Sequence, residues 1–144
     1  MSKVAVVYWS GTGNTEIMAN KVAEGAKAAG AEVEVFEAEG FSADKMDEFD
    51  AVAFGCPSMG CEELEDTIFE PLFASCESKL QGKKIALFGS YGWGDGEWMR
   101  DWAERMKNAG AVLLREEGII TNDAPEDDML EELKAAGQEL AQKA

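Results

Sequence analysis

Short apolar, β-branched runs alternate along this chain with segments of helical spacing, and no other feature narrows its fold as much. Residues 3–9 are nearly all apolar, as a strand buried on both faces should be. Residues 14–29 then carry Met18, Val22, Ala26 and Ala29 at helical spacing, and Gly30 stops the helix. Residues 32–37 alternate polar and apolar, predicting a strand near a sheet edge, and 42–49 read as a turn or a short helix. Residues 51–56 are another buried run, followed by Leu64, Ile68 and Leu72 at a spacing of four, which predicts a helix that Pro71 should kink or locally distort. After Gly82 the alternation resumes. Residues 83–90 form the fourth strand, 97–109 a helix with Trp98, Trp102 and Met106 on one stripe, and 111–121 a fifth strand interrupted by the polar run 115–118. The last helix should begin near Pro125, a residue suited to a first helical position. Glu126, Asp127 and Asp128 follow, where the helix dipole favours negative charge, and Leu130, Leu133, Gly137 and Leu140 give its inner face.

Five strands alternating with four or five helices imply an α/β, doubly wound three-layer sandwich: a parallel sheet covered on both faces, with right-handed crossovers. The 144 residues suffice for one real core, and no linker, repeat or low-complexity stretch divides them. Residues 1–144 are therefore read as a single domain.

Charge and residue usage then exclude several kinds of function. Thirteen Lys and Arg face 29 Asp and Glu, a net charge of −16 that repels nucleic acid and anionic lipid and favours fast association with a basic protein. Histidine is absent, which removes the commonest general base, the Ser-His and Cys-His nucleophile pairs and most transition-metal sites. Cys56, Cys61 and Cys76 are odd in number and have no metal-type spacing, so they read as free thiols, with no metal centre expected. The first residues lack the long apolar stretch of a secretion signal, and no run reaches the roughly 20 apolar residues of a membrane span. The expectation is a cytoplasmic protein.

In an open α/β sheet, ligands bind beyond the carboxyl ends of the strands, and three of those ends carry unusual sequence here. Ser10, Gly11, Thr12, Gly13, Asn14 and Thr15 follow the first strand and open the first helix. Small residues let backbone N–H groups approach closely, hydroxyls and an amide add donors, and the helix N-terminus adds positive potential: a site for a terminal phosphate. No Gly-Lys-Ser/Thr follows, which disfavours nucleoside triphosphate hydrolysis, and Glu16 stands where a dinucleotide fingerprint needs glycine. After the third strand, Pro57, Ser58, Met59, Gly60, Cys61 and Glu62 place a methionine in a turn, where it suits covering a flat ligand. After the fourth, Ser90, Tyr91, Gly92, Trp93, Gly94, Asp95 and Gly96 frame an aromatic with glycines, poor core material but suited to stacking on a ring. A phosphate cradle, a Met wall and a Trp wall on one edge describe a planar heterocycle on a phosphorylated tail, which is FMN. Each loop alone also allows a plainer reading: a solvated cap, a core methionine, a structural aromatic loop.

Taken together, residues 8–15, 57–62 and 88–96 resemble flavodoxins, over essentially the whole chain. The last strand lacks the extra loop that divides it in some members, so the resemblance is to the short-chain, clostridial-type group. That resemblance carries with it the family's strand order 2-1-3-4-5. It also implies a low-potential one-electron carrier, not an enzyme, that binds FMN non-covalently and works through the semiquinone/hydroquinone couple. Implied partners are basic-faced redox enzymes, reductases and oxidoreductases that also use ferredoxin, met by a monomer with no nucleic-acid or membrane role. By position, Ser10, Thr12, Asn14 and Thr15 would donate to the phosphate, with backbone from Gly11 and Gly13. Trp93 would stack on the outer flavin face and Met59 on the inner. Glu62 would accept from the flavin N3–H, Gly92–Gly94 backbone would meet the pyrimidine edge, and Ser90 would reach the phosphate or ribityl chain. None of these residues is catalytic. The family's redox-linked peptide flip falls on Gly60, and Cys61 after it disfavours the competing turn that needs positive φ.

No Lys or Arg lies in the three loops, whereas Glu62, Asp95 and Glu97 crowd the flavin edge. A carboxylate about 10 Å away at a dielectric near 40 costs an added electron about 0.8 kcal/mol. For a one-electron couple that is about 35 mV per charge. A strongly reducing second couple is expected. A flavin reductase on this fold would need a substrate pocket and extra loops, and a signalling receiver domain would need carboxylates ending the first strand, where Ser10, Gly11 and Thr12 stand.

Overall fold

The computed structural model describes residues 2–11, 13–59, 63–115 and 118–144. Strands β1 (Lys3–Tyr8), β2 (Glu32–Glu37), β3 (Ala51–Gly55), β4 (Lys84–Tyr91), β5 (Val112–Leu113) and β6 (Ile119–Asn122) form one sheet. Its order is β2-β1-β3-β4-β5, with β6 also on β4, and every pairing is parallel. The expected order 2-1-3-4-5 is therefore met, with the fifth position filled by two collinear pieces. The break falls where the polar run was read: β5 ends at Leu113 and β6 begins at Ile119, with Arg115 at φ 61 and Gly118 at φ 74 between the two pieces.

The strands sort their side chains by alternation. Val4, Val6, Tyr8, Ala51, Ala53, Ala86 and Phe88 face one core, with α1 (Asn14–Ala28) and α4 (Asp127–Lys143). Ala5, Val7, Val52, Phe54, Ile85 and Leu87 face the other, with α2 (Phe69–Cys76) and α3 (Glu97–Asn108). Two dry faces explain why β1, β3 and β4 read as unbroken apolar runs. β2 pairs only with β1, the edge position its polar face predicted, and Val35 is exposed along with Glu32, Glu34 and Glu37.

Helices α1 and α4 pack backbone against backbone. A Cβ on Gly25 would stand 1.9 Å from the Lys134 carbonyl oxygen, and one on Gly137 would stand 2.0 Å from that of Val22. Each glycine thus meets the carbonyl of the residue three positions before the other glycine.

Two helix starts differ from the sequence reading. α2 begins only at Phe69, so Leu64 precedes it and Pro71 falls in its first turn, where a missing N–H costs no intrahelical bond. Pro125 lies before the Glu126 cap of α4, outside the helix it was expected to open, while Asp127 and Asp128 do occupy the first turn. Ala29 caps α1 and is exposed.

The start of α2 is fixed by one buried carboxylate. Glu65 is 5% exposed and accepts the backbone N–H groups of Thr67, Ile68 and Phe69 at 2.8–2.9 Å, together with the Thr67 hydroxyl. These are the donors that a helix start leaves unpaired. Burial by itself would raise the Glu65 pKa, but the hydrogen bonds outweigh it and hold the group below the usual carboxylate range.

Candidate functional site

Beyond the carboxyl ends of β1, β3, β4 and β6 lies a cleft of about 340 Å³ lined by Trp9, Gly11, Asn14, Pro57, Ser58, Met59, Ser90, Tyr91, Gly92 and Asp123. It sits where strand order reverses about β1, the place an open α/β sheet offers a ligand. All three loops singled out in the sequence contribute to it.

The loop after β1 enters α1 through Gly13 at φ 98, and no side chain caps that helix end. The Gly13 N–H instead donates to Ser10 Oγ at 3.1 Å, folding the loop back on itself. Free first-turn N–H groups beside the small Gly11 and the Asn14 amide form a donor set for an anion, all of it uncharged. Thr15 lies deeper: its hydroxyl is buried, 3.3 Å from the Ser90 hydroxyl, and joins this loop to the end of β4. Tyr8 donates to Glu16 at 2.9 Å, tying that carboxylate back to β1. Burial first, then the Glu16 bond and the charges of Glu16 and Glu37, push the Tyr8 pKa up to about 12, so it stays a donor at neutral pH.

The loop after β3 leaves the ladder in stages. Cys56 and Ser58 donate to the Phe88 and Ser90 carbonyls at 3.1 and 3.0 Å, extending the pairing with β4. Met59 and Glu63 then exchange backbone hydrogen bonds at 2.8 and 2.9 Å, closing the stem of a turn. Met59 is 37% exposed and lines the cleft, so it is no core methionine. Underneath, the Cys56 carbonyl accepts from Trp98 Nε1 at 3.1 Å, and its thiol accepts the Glu65 N–H at 3.4 Å. Burial raises the Cys56 thiol pKa strongly, which leaves it protonated and inert.

Of the remaining expected residues, Ser90, Tyr91 and Gly92 line the cleft, while Trp93, Gly94 and Gly96 do not. Trp93 is 60% exposed. Gly94 has φ 87, and Gly96 is buried at the α3 cap. Thr12, Gly60, Cys61 and Glu62 lie outside the described residues. Cys56 and Cys76 are free and buried. Asp95 is bridged to Arg100 at 3.0 Å, so its charge is partly offset. Two lining residues escaped the sequence reading. Trp9 belongs to the strand and to the motif 8–15 but carried no site role in the sequence, and Asp123 becomes visible only once β6 is paired beside β4.

The donor set and the flat apolar walls fit a planar ring carrying a phosphorylated tail. An uncapped helix end suits the phosphate, and Met59, Trp9 and Tyr91 suit the ring.

Comparison with known proteins agrees with this geometry. Residues 6–137 match the family model described as Flavodoxin. The chain is 48% identical over 138 residues to a flavodoxin of Megasphaera elsdenii, covering 96% of this chain and 98% of that one. It is 45% identical over 128 residues to a flavodoxin of Clostridium beijerinckii, covering 88% and 93%. The solution structure of the two-electron reduced Megasphaera elsdenii flavodoxin superposes with a TM-score of 0.82 at 46% identity, covering 94% of this chain and 98% of that one.

Proposed function

The chain belongs to the flavodoxin family, of the short-chain clostridial type, and from that premise we propose how its residues serve an FMN-binding electron carrier. It is an electron-transfer protein and not an enzyme. The single observation that carries the residue assignment is the cleft at the strand-order switch, which combines an uncapped α1 N-terminus with Met59.

Bound FMN supplies the one-electron chemistry. Ser10, Thr12, Asn14 and Thr15, with the backbone of Gly11 and Gly13, hold its phosphate through neutral donors alone. Met59 would cover one ring face and Trp93, exposed outside the cleft lining, would have to close over the other, while Pro57, Ser58, Gly60 and Cys61 would serve the same side. Glu62 would accept from the ring, the 92–94 backbone would meet its pyrimidine edge, and Ser90 and Tyr91 would support the tail and ring. Gly96 acts through the α3 cap.

Residues 1–144 act as one monomeric domain in the cytoplasm, meeting basic-faced redox enzymes through the −16 charge. Among the described residues no helix is long and apolar enough to cross a membrane.

Two measurements test this reading. The apoprotein should bind one FMN, and riboflavin at least about 100-fold more weakly, because several hydrogen bonds to a charged phosphate are lost. Anaerobic titration should give two one-electron steps, the lower lying on the order of 100 mV below that of free FMN. A lower step above the free-flavin value would overturn the electrostatic account, and equal affinity for riboflavin would overturn the phosphate assignment.

A further inference from the structure

Tyr91 ends β4 beside Asn122, and its carbonyl is held from the β6 side by two donors. The Asp123 backbone N–H reaches it at 2.8 Å and the Asn122 side-chain amide at 3.4 Å. No peptide bond in the described chain is cis, so the N–H of Gly92 points opposite to the Tyr91 carbonyl. With the carbonyl fixed toward β6, that N–H is turned to the opposite side of β4, where Pro57, Ser58 and Met59 line the cleft together with Gly92. Among the described residues no backbone or side-chain acceptor takes it.

Asp123 makes its bond from φ 60, a left-handed conformation that few non-glycine residues adopt and Asp tolerates better than most. That bend lets the chain turn away toward α4 while the Asp123 N–H stays on Tyr91. The Asp123 carboxylate stands by the same opening, 3.5 Å from where a Gly92 Cβ would lie.

We propose that the Asn122–Asp123 corner is a positioning element that aims the Gly92 N–H into the cleft, at a carbonyl oxygen on the pyrimidine edge of the flavin. The proposal rests on the FMN reading above. It adds two residues outside the three glycine-rich loops, which work through the Tyr91–Gly92 peptide and need not touch the ring.

The test uses the apoprotein with two probes, riboflavin for the ring and inorganic phosphate for the loop at residues 10–15. Asp123→Gly keeps the backbone N–H and the positive φ, and it should retain more riboflavin affinity than a variant that removes either. Asp123→Pro removes the N–H and forbids the bend. Its riboflavin affinity should fall about tenfold, the size of one hydrogen bond to a ring carbonyl, with phosphate affinity unchanged. Asp123→Val keeps the N–H but strains the bend, and should fall between, which preserves the test where the proline variant does not fold. The Gly92 amide resonance in the FMN-loaded protein should move in Asp123→Val and not in Asp123→Gly. Riboflavin affinity unchanged in both Pro and Val variants overturns the proposal, as does an equal loss of phosphate binding. A parent apoprotein that binds phosphate but no flavin overturns the FMN reading itself, a result distinct from either.

Discussion

Replacing Glu65 by Ala is expected to destabilise the apoprotein by about 3 kcal/mol in urea denaturation, because it strands buried donors that a charged acceptor now satisfies. Glu65 holds three successive backbone N–H groups at the start of α2, and its own N–H bonds the Cys56 thiol under the Met59–Glu63 stem. The loss should therefore reach the cleft, weakening flavin binding along with stability. Glu65→Gln keeps the shape and one good acceptor and should cost about half as much. The pH dependence has a definite sign. A carboxyl held below its unfolded value of about 4.3 binds a proton less readily when folded, so its stabilisation is complete above that value and drains as pH falls through the folded one. As pH falls below that unfolded value, the Gln variant should lose stability less steeply than the parent. Parallel acid limbs for the two proteins would contradict this role.

Gly137→Ala should be comparably damaging, by about 3 kcal/mol, for a different reason. The added methyl group would stand 2.0 Å from the Val22 carbonyl oxygen and 3.0 Å from the Ala26 nitrogen, both backbone atoms of α1 that no rotamer change can move. Relief requires α1 and α4 to separate. Gly25→Ala opens the same interface from the other helix, so the double variant should cost clearly less than the sum of the singles. α1 also begins at the phosphate-binding loop, and FMN affinity should fall with the melting temperature. A loss under about 1 kcal/mol would mean that the helices part easily.

Neither effect is visible in the sequence. Glu65 follows Leu64 in a stretch where the sequence predicts a helix, and only the late start of α2 brings the helix end over its carboxylate. Gly137 was recognisable as an inner-face residue, but its need to be glycine depends on how closely α1 approaches, which no periodicity reports. The strands were legible because burial on both faces demands unbroken apolar runs, and the Ser10 to Thr15 loop because small residues and hydroxyls at a strand-to-helix junction have few other uses. Asp123 was hidden for the opposite reason. It looks like an ordinary turn residue, and its place in the cleft follows from the break that lets β6 resume pairing beside β4.

That same break bears on how the protein behaves in crowded solution. A sheet exposes an unpaired row of backbone donors and acceptors at each border, an invitation to self-association through strand-to-strand stacking. Here one border carries Glu32, Glu34 and Glu37 pointing into water, and the other is cut into pieces of two and four residues at Arg115. Carboxylates on the first border and the short, broken second border both work against such stacking with a second copy.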